Sequence, residues 1–140
     1  MKNIIIDTNF LMIPLQFRVD IFSEFNRICN FNYKLFIFEQ SISELKNIIE
    51  KQSNASERTR SQLSGKDKKA AQFALKLIKL KNIGIIKSGK EDVDALILDN
   101  LSKDTIIATQ DIILKKELLK KGTPVIILRQ KKYLQFVKNP

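Results

Sequence analysis

The feature that most constrains this chain is the run Ile4-Ile5-Ile6, three β-branched residues in succession that end on a carboxylate, Asp7. A strand with one wet face alternates apolar and polar residues. One that is apolar at every position must be covered on both faces, as a central strand of a parallel sheet is. The pattern recurs in Leu35–Phe38, Ile83–Ile86, Thr105–Ala108 and Val125–Leu128. Between these runs the apolar period becomes helical. It does so from Ser41 to about Lys51, with Ile42, Leu45, Ile48 and Ile49 on one stripe, and over Lys66–Leu80, with Ala70, Phe73, Ala74, Leu77 and Ile78 in phase. Asp92 to about Leu101 and Ile112–Lys121 complete the set. Strands alternating with helices predict an α/β fold with helices on both faces of a parallel sheet.

Two segments fall outside that pattern. Residues 52–65, rich in Ser, Asn, Arg and Gln, have almost nothing apolar to bury and read as a mobile basic loop. Residues 130–140 read as a basic tail in which Tyr133, Leu134, Phe136 and Val137 would pack against the domain or serve a nucleic-acid contact or a dimer. With 140 residues, 44% of them apolar, residues 1–140 are expected to form a single domain with a real core. No window approaches eighteen uninterrupted apolar residues and no secretory signal opens the chain, so the expected setting is cytoplasmic, with no membrane partner. The lone Cys29, between apolar neighbours, reads as a buried reduced thiol.

Absences narrow the chemistry. The chain has no histidine, which removes Ser-His and Cys-His catalysis, histidine-ligated zinc and histidine acid–base pairs. Its four glycines are not spaced as a phosphate-cradling loop. What remains is carboxylate and metal chemistry, or binding alone.

Four acidic residues stand where separate segments reach one edge of the expected sheet: Asp7, Glu44, Asp94 and Asp111. Carboxylates about 4 Å apart repel by roughly 4 kcal/mol per ionised pair at an effective dielectric near 20, so a cluster of them calls for a cation. A hard ion such as Mg²⁺ suits carboxylate and water oxygens. Each residue also has a plain structural reading. Ser41-Ile42-Ser43-Glu44 fits a capping box, Asp94 lies in a helix's first turn, and Asp111 precedes a helix as an N-cap does. Asp7 is harder to explain in that way, because the carboxyl end of a central strand is where open α/β sheets bind ligands. The formal net charge is +10, from 25 Lys and Arg against 15 Asp and Glu, so an acidic site sits in a basic chain, which favours a polyanionic partner.

Asp7-Thr8-Asn9 after the first strand, Ser43-Glu44-Leu45 on the second main helix, Val93-Asp94-Ala95-Leu96-Ile97, and Ile107-Ala108-Thr109-Gln110-Asp111 followed by Leu114 and Leu118 resemble the ordered signature of PIN-domain nucleases. The resemblance covers nearly the whole chain. Gly65-Lys66-Asp67-Lys68-Lys69-Ala70-Ala71 and Pro124–Arg129 look more like archaeal PIN proteins related to ribosomal-RNA processing factors than like typical VapC toxins. The resemblance implies a three-layer α/β/α PIN-like domain, its central parallel sheet of about five strands in the order 3-2-1-4-5. It implies an Mg²⁺- or Mn²⁺-dependent endoribonuclease with one or two ions, acting in ribosomal-RNA maturation or RNA processing. A VapC-type toxin ribonuclease with its antitoxin, and a non-catalytic RNA-binding assembly module, are the alternatives. Asp7, Glu44, Asp94 and Asp111 would be the catalytic, metal-holding carboxylates, with Asn9 and Thr109 as hydrogen-bonding groups around them. RNA would be held by Lys51, Arg58, Arg60, Lys66, Lys68 and Lys69. A second copy of the chain or ribosome-assembly factors are further partners the resemblance allows. Two positions depart from the family pattern: Gln110 stands where Asn or Arg is common, and Val93 where many relatives have the first acid of a pair, with Asp92 beside it as a helix cap.

Overall fold

In the computed structural model, residues 1–54 and 65–138 are described. Six strands form one sheet: β1 (Lys2–Ile6), β2 (Tyr33–Phe38), β3 (Gly84–Ile86), β4 (Thr105–Ala108), β5 (Val125–Arg129) and β6 (Tyr133–Phe136). Their order is β3-β2-β1-β4-β5-β6. The first five are parallel, as expected, and β6 returns antiparallel to β5, with Leu128 opposite Leu134. Residues 130–138 are therefore a hairpin turn and an edge strand, not a loose appendage.

β1 shows why the non-alternating runs must be central. Ile4 and Ile6 join one apolar cluster and Ile5 the other, all within 4% exposure, so consecutive side chains fill two separate cores. Each isoleucine so buried contributes about 1.5–3 kcal/mol relative to exposure. On β4, Ile106 and Ala108 divide from Ile107 in the same way. One face is covered by a 3-10 turn (Thr8–Met12) and by α1 (Ile13–Phe17), α2 (Ile21–Ile28), α3 (Glu39–Asn54) and α4 (Gly65–Leu80). The other is covered by α5 (Val93–Asp99) and α6 (Ile112–Lys120) through Val93, Leu96, Ile97, Leu114 and Leu118. This is the three-layer arrangement.

Several boundaries differ from those the local pattern predicts. α3 starts at Glu39, not Ser41, and runs to Asn54. Ser41 therefore sits inside the first turn, and the capping-box reading of Ser41–Glu44 is wrong. Two further helices occupy residues 13–28, where the sequence pattern predicted nothing regular. α1 has a proline in its first turn and ends at Arg18, with φ of +55°. α2 is capped by Asp20, whose carboxylate accepts from the Phe22 and Ser23 amides. α2 then secures the edge of the sheet, because the Leu134 amide donates to Glu24 and the Leu134 carbonyl accepts from Arg27, both at 2.9 Å. An edge strand with its backbone groups occupied is a poor template for another chain. α6 ends at Lys120 with Lys121 as its C-cap, and Gly122 follows with φ of +79°, the left-handed conformation that closes a helix. Cys29 is a free, buried thiol with its pKa pushed up to about 11 by burial. Among the described residues no helix is long and apolar enough to cross a membrane.

Candidate active site

The chain turns from β1 to β2 on one side of the sheet and later to β4 on the other, so the order reverses between β1 and β4. Asp7 is the residue that follows β1 at that point. Its amide extends the ladder by donating to the Ala108 carbonyl at 2.9 Å. Its side chain is buried. Oδ1 accepts from the Thr8 amide at 2.8 Å and Oδ2 from the Thr109 hydroxyl at 2.7 Å. Burial pushes the Asp7 carboxyl above its ordinary range, and the hydrogen bonds from Thr109 and Thr8 oppose that. The charges of Asp111 and Glu44 push it further up. Asp7 thus feels the charges of two of the other three acids.

Thr109, fully buried one residue beyond β4, joins two of them: its hydroxyl donates to Asp7 and accepts from the Asp111 amide at 3.0 Å. Asp111 then caps α6 with one oxygen, Oδ1 accepting from both the Ile113 and Leu114 amides. Glu44 is half-buried in the first turns of α3 and held by Thr8. The Thr8 hydroxyl lies 2.7 Å from Glu44 Oε1 and 2.9 Å from Ser41 Oγ. A hydroxyl has one proton and an ionised carboxylate can only accept, so Thr8 donates to Glu44 while Ser41 supplies the second contact. Thr8 bonds both Glu44 and Ser41, and neither Thr8 nor Ser41 was among the site residues expected from the sequence. Their signal was the i, i+3 spacing of Ser41 and Glu44, which puts both on one helix face.

Asp94 stands apart from this group. It is exposed on the first turn of α5, accepts from the Ala95 amide at 3.0 Å, and is not among the charges acting on Asp7. Asp92 occupies the N-cap position of α5 without a side-chain capping bond. Asn9 is exposed and, among the described residues, its side chain has no hydrogen-bond partner, so the orienting role expected of it is not seen. Of the basic residues expected to hold RNA, Lys51 and Lys69 are exposed and Lys68 is half-buried on α3 and α4. Arg58, Arg60 and the Lys66 side chain lie outside the described residues.

The donor set suits a hard divalent cation. It is all oxygen, and Asp7's pKa is raised chiefly by burial, with smaller contributions from the charges of Asp111 and Glu44. Among the described residues, Glu44, Asp94 and Asp111 each give the fold one oxygen and leave the other without a protein partner. Among the described residues no group of three or more acidic side chains is arranged to hold a metal ion by itself, so a cation there would need water or substrate oxygens to complete its shell.

The chain is an α/β/α protein with a buried carboxylate, Asp7, at the switch point of its sheet, the place where open α/β sheets bind ligands. The chain belongs to the PIN-like domain family: residues 4–131 match the family described as PIN like domain. It is 29% identical over 137 residues, 96% of each chain, to Ribonuclease VapC4 of Methanocaldococcus jannaschii. Its fold is similar to that in the structure of the PIN domain endonuclease Utp24, with a TM-score of 0.74 and 19% identity over 98% of this chain and 92% of the other. It is also similar to a domain of a functionally unknown protein from M. jannaschii, with a TM-score of 0.50 and 17% identity over 92% of each chain.

Proposed function

We propose that the chain is a divalent-metal-dependent endoribonuclease, with Asp7, Glu44, Asp94 and Asp111 as its metal-holding carboxylates. The observation that carries this reading is Asp7, a buried carboxylate at the end of the central strand that shares its field with Asp111 and Glu44. Whole-length similarity to a protein named as a ribonuclease supports the substrate class. Mg²⁺ or Mn²⁺, when bound, supplies the Lewis acidity and charge stabilisation that phosphodiester hydrolysis needs. The chain's own residues do the positioning. Thr109 fixes Asp7 and the entry to α6 together, and Thr8 fixes Glu44. Asp94, exposed at the rim, would complete the set from α5. The basic segment from Lys51 to Lys69 would hold phosphates away from the acids, since an acidic centre repels RNA and affinity rests on cationic contacts elsewhere.

Cleavage of defined single-stranded and structured RNAs with Mn²⁺, comparing wild type with Asp7→Asn, tests the reading. Wild type should cut and Asp7→Asn should not. Equal rates in preparations free of contaminating nuclease would sink it in favour of a non-catalytic RNA-binding module. Within the nuclease class we place the protein in cytoplasmic RNA processing, ribosomal-RNA maturation included. The similarity to VapC4 favours a second context, a toxin held by an antitoxin. Growth arrest on expression, relieved by the product of an adjacent small gene, would select that context.

A further inference from the structure

Along the carboxyl edge of the sheet the surface changes sign. β5 runs parallel to β1 and β4, so its last residue, Arg129, ends at the edge that carries Asp7, two strand spacings or about 10 Å across the sheet, and Asp111, which follows the adjacent β4. There Gln110, Ile112 and Lys115 face Arg129 and Gln130 across an open cleft of about 330 Å³. That volume lies in the range of about 300–1,000 Å³ typical of small-ligand sites. Among the described residues neither the Lys115 nor the Arg129 side chain has a hydrogen-bond or ion-pair partner, although the chain does pair other cations, Arg27 with Glu24 among them. Ile112, on the α6 side of the cleft, is 63% exposed, and its neighbour Ile113 is 77% exposed. The opposite wall is the tight β5–β6 hairpin turn, closed by the Lys132 amide on the Arg129 carbonyl at 3.0 Å, with Gln130 and Lys131 at φ of +52° and +56° as a type I′ turn requires.

We propose that this cleft seats a nucleotide of single-stranded RNA flanking the scissile phosphate, with Lys115 and Arg129 on phosphate oxygens and the base laid against Ile112. The inference rests on the nuclease reading above and adds to it the direction in which the strand leaves the acids. A polyanion crossing the edge meets carboxylates from β2 to β4 and free cations at β5, so the cut phosphate and the held phosphate are different ones. Cationic contacts of this kind set affinity and register without reading sequence. Gln110 and Gln130 supply amides, each both donor and acceptor, of the type that pairs with a ribose hydroxyl.

The test is fluorescence anisotropy of a labelled decauridylate with chelator present, so that cleavage does not enter the measurement. Wild type is compared with Lys115→Ala/Arg129→Ala. A charge-matched control, Lys103→Ala/Lys121→Ala, removes two cations at the amino edge of the sheet, where they line a different cleft. The cleft variant should bind about tenfold more weakly and lose about 1.4 from the slope of log affinity against log salt, at about 0.7 per contact on a single strand. The control should stay within about twofold of wild type, because its charges lie far from the strand's path. With Mn²⁺, the cleft variant should raise KM and leave kcat close to wild type. Unchanged affinity, or equal weakening in both double variants, overturns the proposal. If wild type cuts RNA and Asp7→Asn does not, while the cleft variant keeps affinity and KM, the cleft assignment fails alone. If wild type cuts no RNA, the nuclease reading fails and takes the flanking-nucleotide assignment with it.

Discussion

Replacing Thr109 with valine tests the centre of the site without opening a cavity, because the two side chains are nearly the same shape. Thr109 is completely buried, and its hydroxyl donates to Asp7 Oδ2 at 2.7 Å while accepting from the Asp111 amide at 3.0 Å. A hydrogen bond to a charged group contributes about 1.5–3 kcal/mol, and the Asp111 amide, nearer the surface, can be rescued by water. Thr109→Val should therefore cost about 2 kcal/mol at pH 8, which for a domain of this size lowers the melting temperature by roughly 6–10 °C. The cost should depend on pH. Asp7's folded pKa is already raised, so its ionisation takes stability away as pH rises through that value, and removing the Thr109 donor raises the folded pKa further. The gap between variant and wild type should open as pH rises through the wild-type folded pKa and level off above the variant's. Below the wild-type folded pKa both proteins hold a neutral Asp7, and the lost bond is worth about 1 kcal/mol or less. Urea unfolding with chelator at a series of pH values measures the gap, and Thr109→Ser, which restores the hydroxyl, should recover the pH-dependent part. A gap of the same size at every pH would refute the argument that the hydroxyl serves an ionised Asp7.

Asp7→Asn, besides abolishing cleavage, should leave the metal-free protein at least as stable as wild type at pH 7–8, because it removes a carboxylate whose ionisation opposes folding; a large fall in melting temperature would contradict this. Mn²⁺ and Mg²⁺ should raise the melting temperature with concentration, by linkage to the folded site alone, and Asp94→Asn and Asp111→Asn should blunt that rise while Asn keeps the Asp111 cap in place. A metal response unchanged in both variants would leave these two acids as caps only. Glu24→Ala should cost about 1 kcal/mol by freeing the Leu134 amide and should increase concentration-dependent light scattering through the exposed β6 edge. Bonding to Arg27 holds the Glu24 carboxyl below its ordinary range, so its contribution is present above the unfolded pKa and fades as pH falls through the folded one; the cost of Glu24→Ala should be smaller at pH 3 than at pH 7.

The central strands were legible because burial on both faces leaves only one kind of residue acceptable at every position, as in Ile4-Ile5-Ile6. α1 and α2 were not, since helices of five and eight residues are too short for a period to emerge, and they are fixed by tertiary contacts such as the Phe10–Phe25 ring stack. β6 had a visible signal, the alternation of exposed Tyr133 and Gln135 with buried Leu134, but the lysines around it obscured it. At the site, the local pattern offered a choice between capping and metal holding, and the geometry is compatible with both at the same side chain. Asp111 caps α6 through Oδ1 alone, Asp94 caps the Ala95 amide through Oδ1 alone, and Glu44 accepts from Thr8 through Oε1 alone. A carboxylate has two oxygens and about four acceptor positions. One oxygen restrains each side chain, Asp111 and Asp94 through amides of their own helices and Glu44 through Thr8, and among the described residues the other has no protein partner. A capping bond at a sheet's carboxyl edge therefore does not argue against a site there, and Asp7, both of whose oxygens are bonded, is the member at which, on the function proposed above, a cation would compete with the protein's own donors.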